Sequence, residues 1–243
     1  MNRNEIEKQV EDIITRIDES CDKNLNVVLP FDETTKEFVE IDKLMNLDSK
    51  GCYIFFKRLF DFIASLVALI ILAIPMIIVA ICIKCDSKGP VIYKQKRVGL
   101  NGKMFNLYKF RSMRTDAEKN GAQWAASGVD PRITNVGNFL RKSRLDELPQ
   151  LINILKGEMS IVGPRPERPV YYRAFRKYMN GFEQRLLIKP GLTGYAQIHG
   201  GYDIDPDEKC KLDIKYINNR SCWNDLKIIF QTVAVIFTHE GAR

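Results

Sequence analysis

The hydrophobic pattern divides the chain into unlike parts. Residues 4–19, "NEIEKQVEDIITRIDE", put Ile6, Val10, Ile13, Ile14 and Ile17 on one helical stripe among charged residues. This predicts an accessory helix that docks on its own body or on a partner. Residues 20–50 are polar with sparse apolar positions and read as a loosely ordered connector. From Ile63 to Ile83 there follow 21 residues without a charge. As a helix they would extend about 31 Å, enough to cross a bilayer core. Apolarity on all sides at this length marks a membrane segment, and its position far from the N-terminus does not suit a cleaved signal.

Pro75 interrupts this run, where it deletes one helical hydrogen bond and crowds the preceding turn. Lys57 and Arg58 precede the run, and Lys84, Lys88, Lys94, Lys96 and Arg97 follow it. Basic flanks favour the cytosol, so both ends are drawn to one side. A helix that breaks at Pro75 and returns to the same face satisfies both features, and a kinked spanning helix is the other reading. Asp61 lies one turn from Lys57 and Arg58 and is placed to pair with them at the interface.

Beyond the apolar run, "PVIYKQKRV" and "MFNLYKFRSM" read as two strands joined at Asn101-Gly102. Two helices are expected at about 135–143 and 148–156, the second stopped by Gly157. "SIVGPRPERP" and "IKPGLTGYAQIHGG" must be shaped loops. Trp223, Leu226, Ile229, Phe230, Val233, Ile236 and Phe237 form an apolar helical face that suits either the core or a membrane interface. The fold class expected is α+β and mainly helical. It comprises an N-terminal extension (1–50), a membrane helix (51–88) and a soluble domain (89–243).

Charge sharpens this division. Residues 1–50 hold 7 Lys+Arg against 13 Asp+Glu, while the remainder holds 30 against 17. A basic body after an acidic extension points to an anionic partner: phosphate substrates, acidic headgroups or nucleic acid. No nucleic-acid-binding motif is present, so that class is set aside. Six scattered cysteines form no disulfide framework, and Cys82-x-x-Cys85 closes an apolar run without a zinc partner. Two histidines exclude a His-rich metal centre.

Within the basic body, "RLDELPQL" sets Asp146 beside Glu147. Adjacent acids ahead of a helix with Pro149 in its first turn serve as an ordinary cap. The surroundings offer a second reading. Lys109, Arg111, Arg141, Arg165 and Arg185 lie in neighbouring motifs, with Arg165 between two prolines. Should they converge, they form a phosphate cradle. A carboxylate there stays ionised and can attack phosphorus, while its neighbour holds Mg²⁺. There is no Ser/His/Asp order, Walker loop or G-x-G-x-x-G to support other chemistry.

The collinear segments "KFRSM", "LRKSRLDELPQLINILKGEMSIVGPRPE", "KPGLTGYAQIHG" and "LDIKYINNRSCWNDLKIIFQT" resemble the bacterial sugar transferases. More narrowly, they resemble the monotopic polyprenyl-phosphate phosphoglycosyl transferases. The likeness covers roughly residues 54–240. It implies transfer of a sugar 1-phosphate from a UDP-sugar to polyprenyl (undecaprenyl) phosphate with release of UMP, initiating capsule, exopolysaccharide, O-antigen or glycoprotein glycan synthesis. It further implies Asp146 as nucleophile, Glu147 as Mg²⁺ ligand, and phosphate-holding or orienting roles for Lys109, Arg111, Arg141 and Arg165. A re-entrant helix broken at Pro75, interfacial amphipathic helices and a cytosolic catalytic domain on the bacterial inner membrane also follow from it. Ile74 stands where relatives often have Ser, and Tyr195 where Trp is common. A homo-oligomer is compatible with the sequence. The competing class is a basic membrane-anchored scaffold that binds acidic lipids without catalysis.

Overall fold

The computed structural model describes residues 1–21, 27–28, 36–44, 47, 50–119, 122–123, 130–200 and 204–238. Helix α1 (Arg3–Ser20) begins at a reciprocal cap. Asn2 Oδ1 accepts from the Glu5 amide at 3.0 Å, and Glu5 Oε2 accepts from the Asn2 amide at 2.9 Å. Its stripe docks on its own body. Ile6, Ile13 and Ile17 are buried in one core with Ile41, Leu44, Phe175, Phe182, Ile217 and Ile228. Strands β1 (Val27–Val28) and β2 (Val39–Glu40) follow. Of the expected loose connector, residues 36–44 are therefore packed, because Ile41 and Leu44 reach the core; much of the rest lies outside the described residues.

Helix α2 (Gly51–Ile71) and helix α3 (Ala73–Asp86) meet at Leu72 with a bend of 62°. The break lies just before Pro75, as the proline dictates. Pro75 has no N–H for the Ile71 carbonyl, and its ring crowds that group. It then falls in the first turn of α3, where a missing donor costs nothing. Among the described residues no single helix is long and apolar enough to cross a membrane, but the bent pair together is. Its outer surface is apolar: Ile70, Ile71 and Ile74 are 68%, 68% and 71% exposed.

The polar residues of α2 are used differently from the sequence expectation. Asp61 does not pair with Lys57 or Arg58; each of the three reaches into the body. Lys57 pairs with Asp225 at 2.7 Å, and Arg58 donates to the Ile154 and Leu155 carbonyls at 2.6 and 2.8 Å. Asp61 Oδ1 accepts from the Ile161 amide at 3.0 Å. One flank of an otherwise apolar helix is thus bonded to the body of the fold.

Strands β3 (Ile92–Val98) and β4 (Met104–Phe110) form the expected antiparallel hairpin, in register from Ile92 opposite Phe110 to Val98 opposite Met104. Asn101 and Gly102 supply the positive φ angles of its turn, 55° and 75°. The chain continues through β5 (Ala122–Gln123), α4 (Asn135–Lys142), a 3₁₀ turn at Leu145–Glu147, α5 (Gln150–Lys156) and β6 (Ser160–Val162). Gly157 ends α5 with φ 80°, as expected. Then come α6 (Pro169–Phe175), β7 (Met179–Asn180), a 3₁₀ segment at Phe182–Leu187, β8 (Gly191–Thr193), α7 (Tyr195–His199), α8 (Pro206–Asn219) and α9 (Cys222–Thr238). The described strands pair two by two: β1 with β5, β2 with β7 and β6 with β8 in parallel, and β3 with β4. The fold is mainly helical with small sheets.

Helix α9 has one buried and one exposed face. Asp225 and Ile228 are buried against the body, whereas Trp223 and Phe230 are 77% and 73% exposed. The side chains of Ile236 and Phe237 lie outside the described residues.

Candidate active site

The acid pair sits in the 3₁₀ turn between α4 and α5, directly after Arg144, whose φ of 59° is a left-handed value uncommon for a non-glycine residue. Both carboxylates are buried. Asn153, fully buried on α5, fixes this region against the hairpin. Its Oδ1 accepts from the Tyr108 amide at 3.1 Å, and its Nδ2 donates to the Asn106 carbonyl at 2.8 Å. The next residue of β4, Lys109, is thereby aimed at the pair.

The two carboxylates are in unequal situations. Glu147 Oε1 accepts from Lys109 Nζ at 2.8 Å and from Arg165 Nη2, and Oε2 faces Arg165 Nη1 at 3.4 Å. Asp146 has Lys109 Nζ at 4.0 Å, and among the described residues nothing donates a hydrogen bond to it. Burial opposes ionisation of both. For Glu147 the charges of Arg165 and Lys109 outweigh burial and hold its carboxyl well below the ordinary range. For Asp146 burial prevails; Lys109, Arg141 and Arg165 favour its charge while Glu147 opposes it, and the carboxyl is pushed up. The site thus holds a charge-compensated glutamate beside an aspartate whose oxygens are uncommitted.

Arg165 is delivered by the loop after β6, which is held by close backbone contact. Gly163 N donates to the Thr193 carbonyl and Gly191 N to the Pro164 carbonyl, both at 2.9 Å. A Cβ on Gly163 would lie 2.5 Å from the Lys189 carbonyl oxygen, and one on Gly191 would lie 2.1 Å from Gly163 N. Only glycine permits this approach. The Gly-rich segment after Lys189 therefore braces the loop that carries Arg165.

Of the cations predicted to converge, Lys109 and Arg165 do so on Glu147, and Arg141 lies close enough for its charge to favour ionised Asp146. Arg111 and Arg185 do not join them. Arg111 turns to the end of α3, donating to the Lys88 and Ser87 carbonyls at 2.9 and 2.7 Å and to Ser87 Oγ at 2.9 Å. It secures the end of α3 to the hairpin. Arg185 is buried behind the loop, pairs with Asp213 and donates to the Arg165 carbonyl at 2.9 Å. Asn153 and Asp213 escaped sequence reasoning. Neither stands out in the sequence, since each has polar neighbours one helical turn away, Gln150 for Asn153 and Lys209 for Asp213.

Among the described residues no group of three or more His, Cys, Asp or Glu side chains gathers to cage a metal. Mg²⁺ needs no such cage, being commonly held by one or two carboxylates with water and substrate phosphate. Among the described residues, Asp146 accepts no hydrogen bond and Glu147 Oε2 has one long contact, so these are the oxygens of the pair left to hold such an ion.

The profile of the bacterial sugar transferase family matches residues 52–239. A UDP-N-acetylgalactosamine-undecaprenyl-phosphate N-acetylgalactosaminephosphotransferase of Aeromonas hydrophila is 41% identical over 219 residues, covering 87% of this chain and 52% of that protein. A UDP-glucose:undecaprenyl-phosphate glucose-1-phosphate transferase of Escherichia coli K12 is 41% identical over 191 residues, covering 76% and 41%. An undecaprenyl-phosphate galactose phosphotransferase of Salmonella typhimurium is 38% identical over 233 residues, covering 88% and 48%. The chain spans about half the length of these relatives or less. With the acid pair, the Arg165 loop and the bent helix all inside the matched region, this chain belongs to the bacterial sugar transferase family.

Proposed function

We propose that this chain is a phosphoglycosyl transferase that moves a sugar 1-phosphate from a UDP-sugar to polyprenyl phosphate through a covalent intermediate on Asp146. The observation that carries this reading is the asymmetry of the pair: an uncommitted Asp146 carboxylate beside a Glu147 held by Lys109 and Arg165.

An Asp146 oxygen attacks the sugar-bearing phosphorus of the donor. The new O–P bond forms as the bond to the bridging oxygen breaks, and UMP leaves with that electron pair. A phosphate oxygen of the polyprenyl acceptor then attacks the same phosphorus. The Asp146 O–P bond breaks, the carboxylate is regenerated, and the product is a polyprenyl diphosphate sugar. Lys109 and Arg165 face the same space as Asp146 and neutralise charge on the phosphoryl oxygens, with Arg141 beside them. Glu147 orients both cations. When bound, Mg²⁺ would sit at Asp146 and Glu147 Oε2 and offset phosphate charge. Reversible loss of UMP release in EDTA, restored by Mg²⁺, tests that assignment.

The exposed apolar surfaces of α2, α3 and α9 support seating at a membrane. The 62° bend and basic flanks support a re-entrant helix, with α9 lying in the interface and the catalytic domain at the cytosolic face of the bacterial inner membrane. Single-cysteine labelling at positions 50 and 88 should report the same face; opposite faces would restore a spanning helix. The decisive assay is UMP release from a panel of UDP-sugars with undecaprenyl phosphate and purified protein. Release with at least one sugar is expected. Binding to anionic vesicles with no UMP formed from any sugar would leave the scaffold reading instead.

A further inference from the structure

The loop that presents Arg165 is Gly163-Pro164-Arg165-Pro166-Glu167, and its two prolines have no N–H to offer. Beyond the Gly163 amide, it is held by its carbonyls. Pro164 O accepts from the Gly191 amide at 2.9 Å and Glu167 O from the Val98 amide at 3.0 Å. The middle two are held by side chains: Arg97 Nη1 donates to Pro166 O at 2.9 Å, and Arg185 Nη2 to Arg165 O at 2.9 Å. Arg185 lies against Asp213 of α8, and both side chains are 1% exposed. The bond from Arg185 therefore acts on the backbone of the one residue in the loop whose guanidinium reaches Glu147.

A buried ion pair is a poor device for stability alone. Apolar residues of similar volume commonly serve as well or better. The feature that such a replacement could not reproduce here is the bond to the Arg165 carbonyl. We infer that Arg185 and Asp213 are positioning residues for the transfer reaction: Asp213 holds Arg185, and Arg185 fixes the backbone from which Arg165 reaches the acid pair. This rests on the transferase reading above and replaces direct phosphate contact as the role of Arg185. Misplacement of a reacting or orienting group by about 1 Å costs on the order of 100-fold in rate, which sets the scale of the effect.

The test is a cycle of three proteins against wild type in lipid nanodiscs: Arg185→Met with Asp213→Leu, Arg165→Ala, and all three changes together. The apolar pair should stay folded and lower kcat for UMP release by about 10- to 100-fold. In the Arg165→Ala background the same pair should cost no more than about twofold, because its effect passes through Arg165. Equal losses in both backgrounds would make the pair merely structural and overturn the inference, as would full activity of the apolar pair. Should that pair fail to fold, Arg185→Lys, which keeps the charge without the fork, carries the same cycle. Hydrogen exchange read without substrate gives a second measure: the amides of Gly163 and Gly191, which bond across the loop, should exchange faster in the pair variant while α8 stays protected. Unchanged exchange there would also overturn the inference. Absence of turnover by wild type on every UDP-sugar would count against the transferase reading, and the exchange result would still decide what the pair does.

Discussion

Replacing each acid by its amide separates the two roles that the geometry assigns. Glu147→Gln leaves Lys109 and Arg165 facing a neutral group. Removing one partner of a buried ion pair costs about 3–5 kcal/mol. Lys109 and Arg165 are 20% and 21% exposed, so the low end, about 3 kcal/mol, applies. For a domain of this size that is a fall of roughly 6–12 °C in Tm. Asp146→Asn loses no hydrogen bond among the described residues. Burial holds the Asp146 carboxyl above its unfolded value, so the ionised form costs stability at neutral pH, and the amide removes that cost together with repulsion from Glu147. Its Tm should be unchanged or slightly higher. Its UMP release should fall to background, a loss on the order of 10⁶-fold where a nucleophile is removed outright. The assays are thermal unfolding in nanodiscs and UMP release from the same preparations. An Asp146→Asn protein as destabilised as Glu147→Gln, or one that keeps turning over, would refute the division of labour.

Three further outcomes follow from the same geometry. The acid limb of kcat/KM should lie above the ordinary aspartate value of about 3.9, because Glu147 keeps its charge and Asp146 takes the proton first; in Glu147→Gln the limb should move to lower pH, since repulsion is gone and Lys109 and Arg165 then face Asp146, and an upward move would contradict this. Arg111→Gln should cost about 2–4 kcal/mol and loosen hydrogen exchange at the end of α3, with KM for the UDP-sugar within about twofold of wild type; a large KM increase at unchanged stability would return Arg111 to the substrate. Gly163→Ala would set its Cβ 2.5 Å from the Lys189 carbonyl oxygen, and should cost about 1–3 kcal/mol in Tm measurements and depress turnover through the displaced Arg165.

What could be read from the sequence was local. The apolar run with Pro75, the Asn101-Gly102 hairpin and the stop at Gly157 each follow from residues within a few positions of one another. The acid pair was legible because its motif neighbours include Lys109 and Arg165, which meet on Glu147. Arg111 was misplaced for a geometric reason. Residues two apart on a strand share a face, but β4 ends at Phe110, and beyond the pleat the side chain turns to the carbonyls of Ser87 and Lys88, just past α3. Arg185 was misplaced because a nearby basic motif does not say which side of a loop a cation supports. Lys57, Arg58 and Asp61 satisfy each other on a helical wheel, yet their partners lie about a hundred residues or more away. The two Gly-rich segments read as shaped loops, but their residues alone do not show that Gly163 and Gly191 are needed there because two backbones touch.

The central claim is a covalent bond at one oxygen, and mass spectrometry of the protein incubated with its UDP-sugar and no lipid acceptor addresses it most directly. A gain of one sugar phosphate on the peptide containing Asp146 is expected, matched by one equivalent of UMP and discharged when polyprenyl phosphate is added. UMP formed only in the presence of acceptor with no adduct on any peptide, or an adduct on a residue other than Asp146, would contradict it.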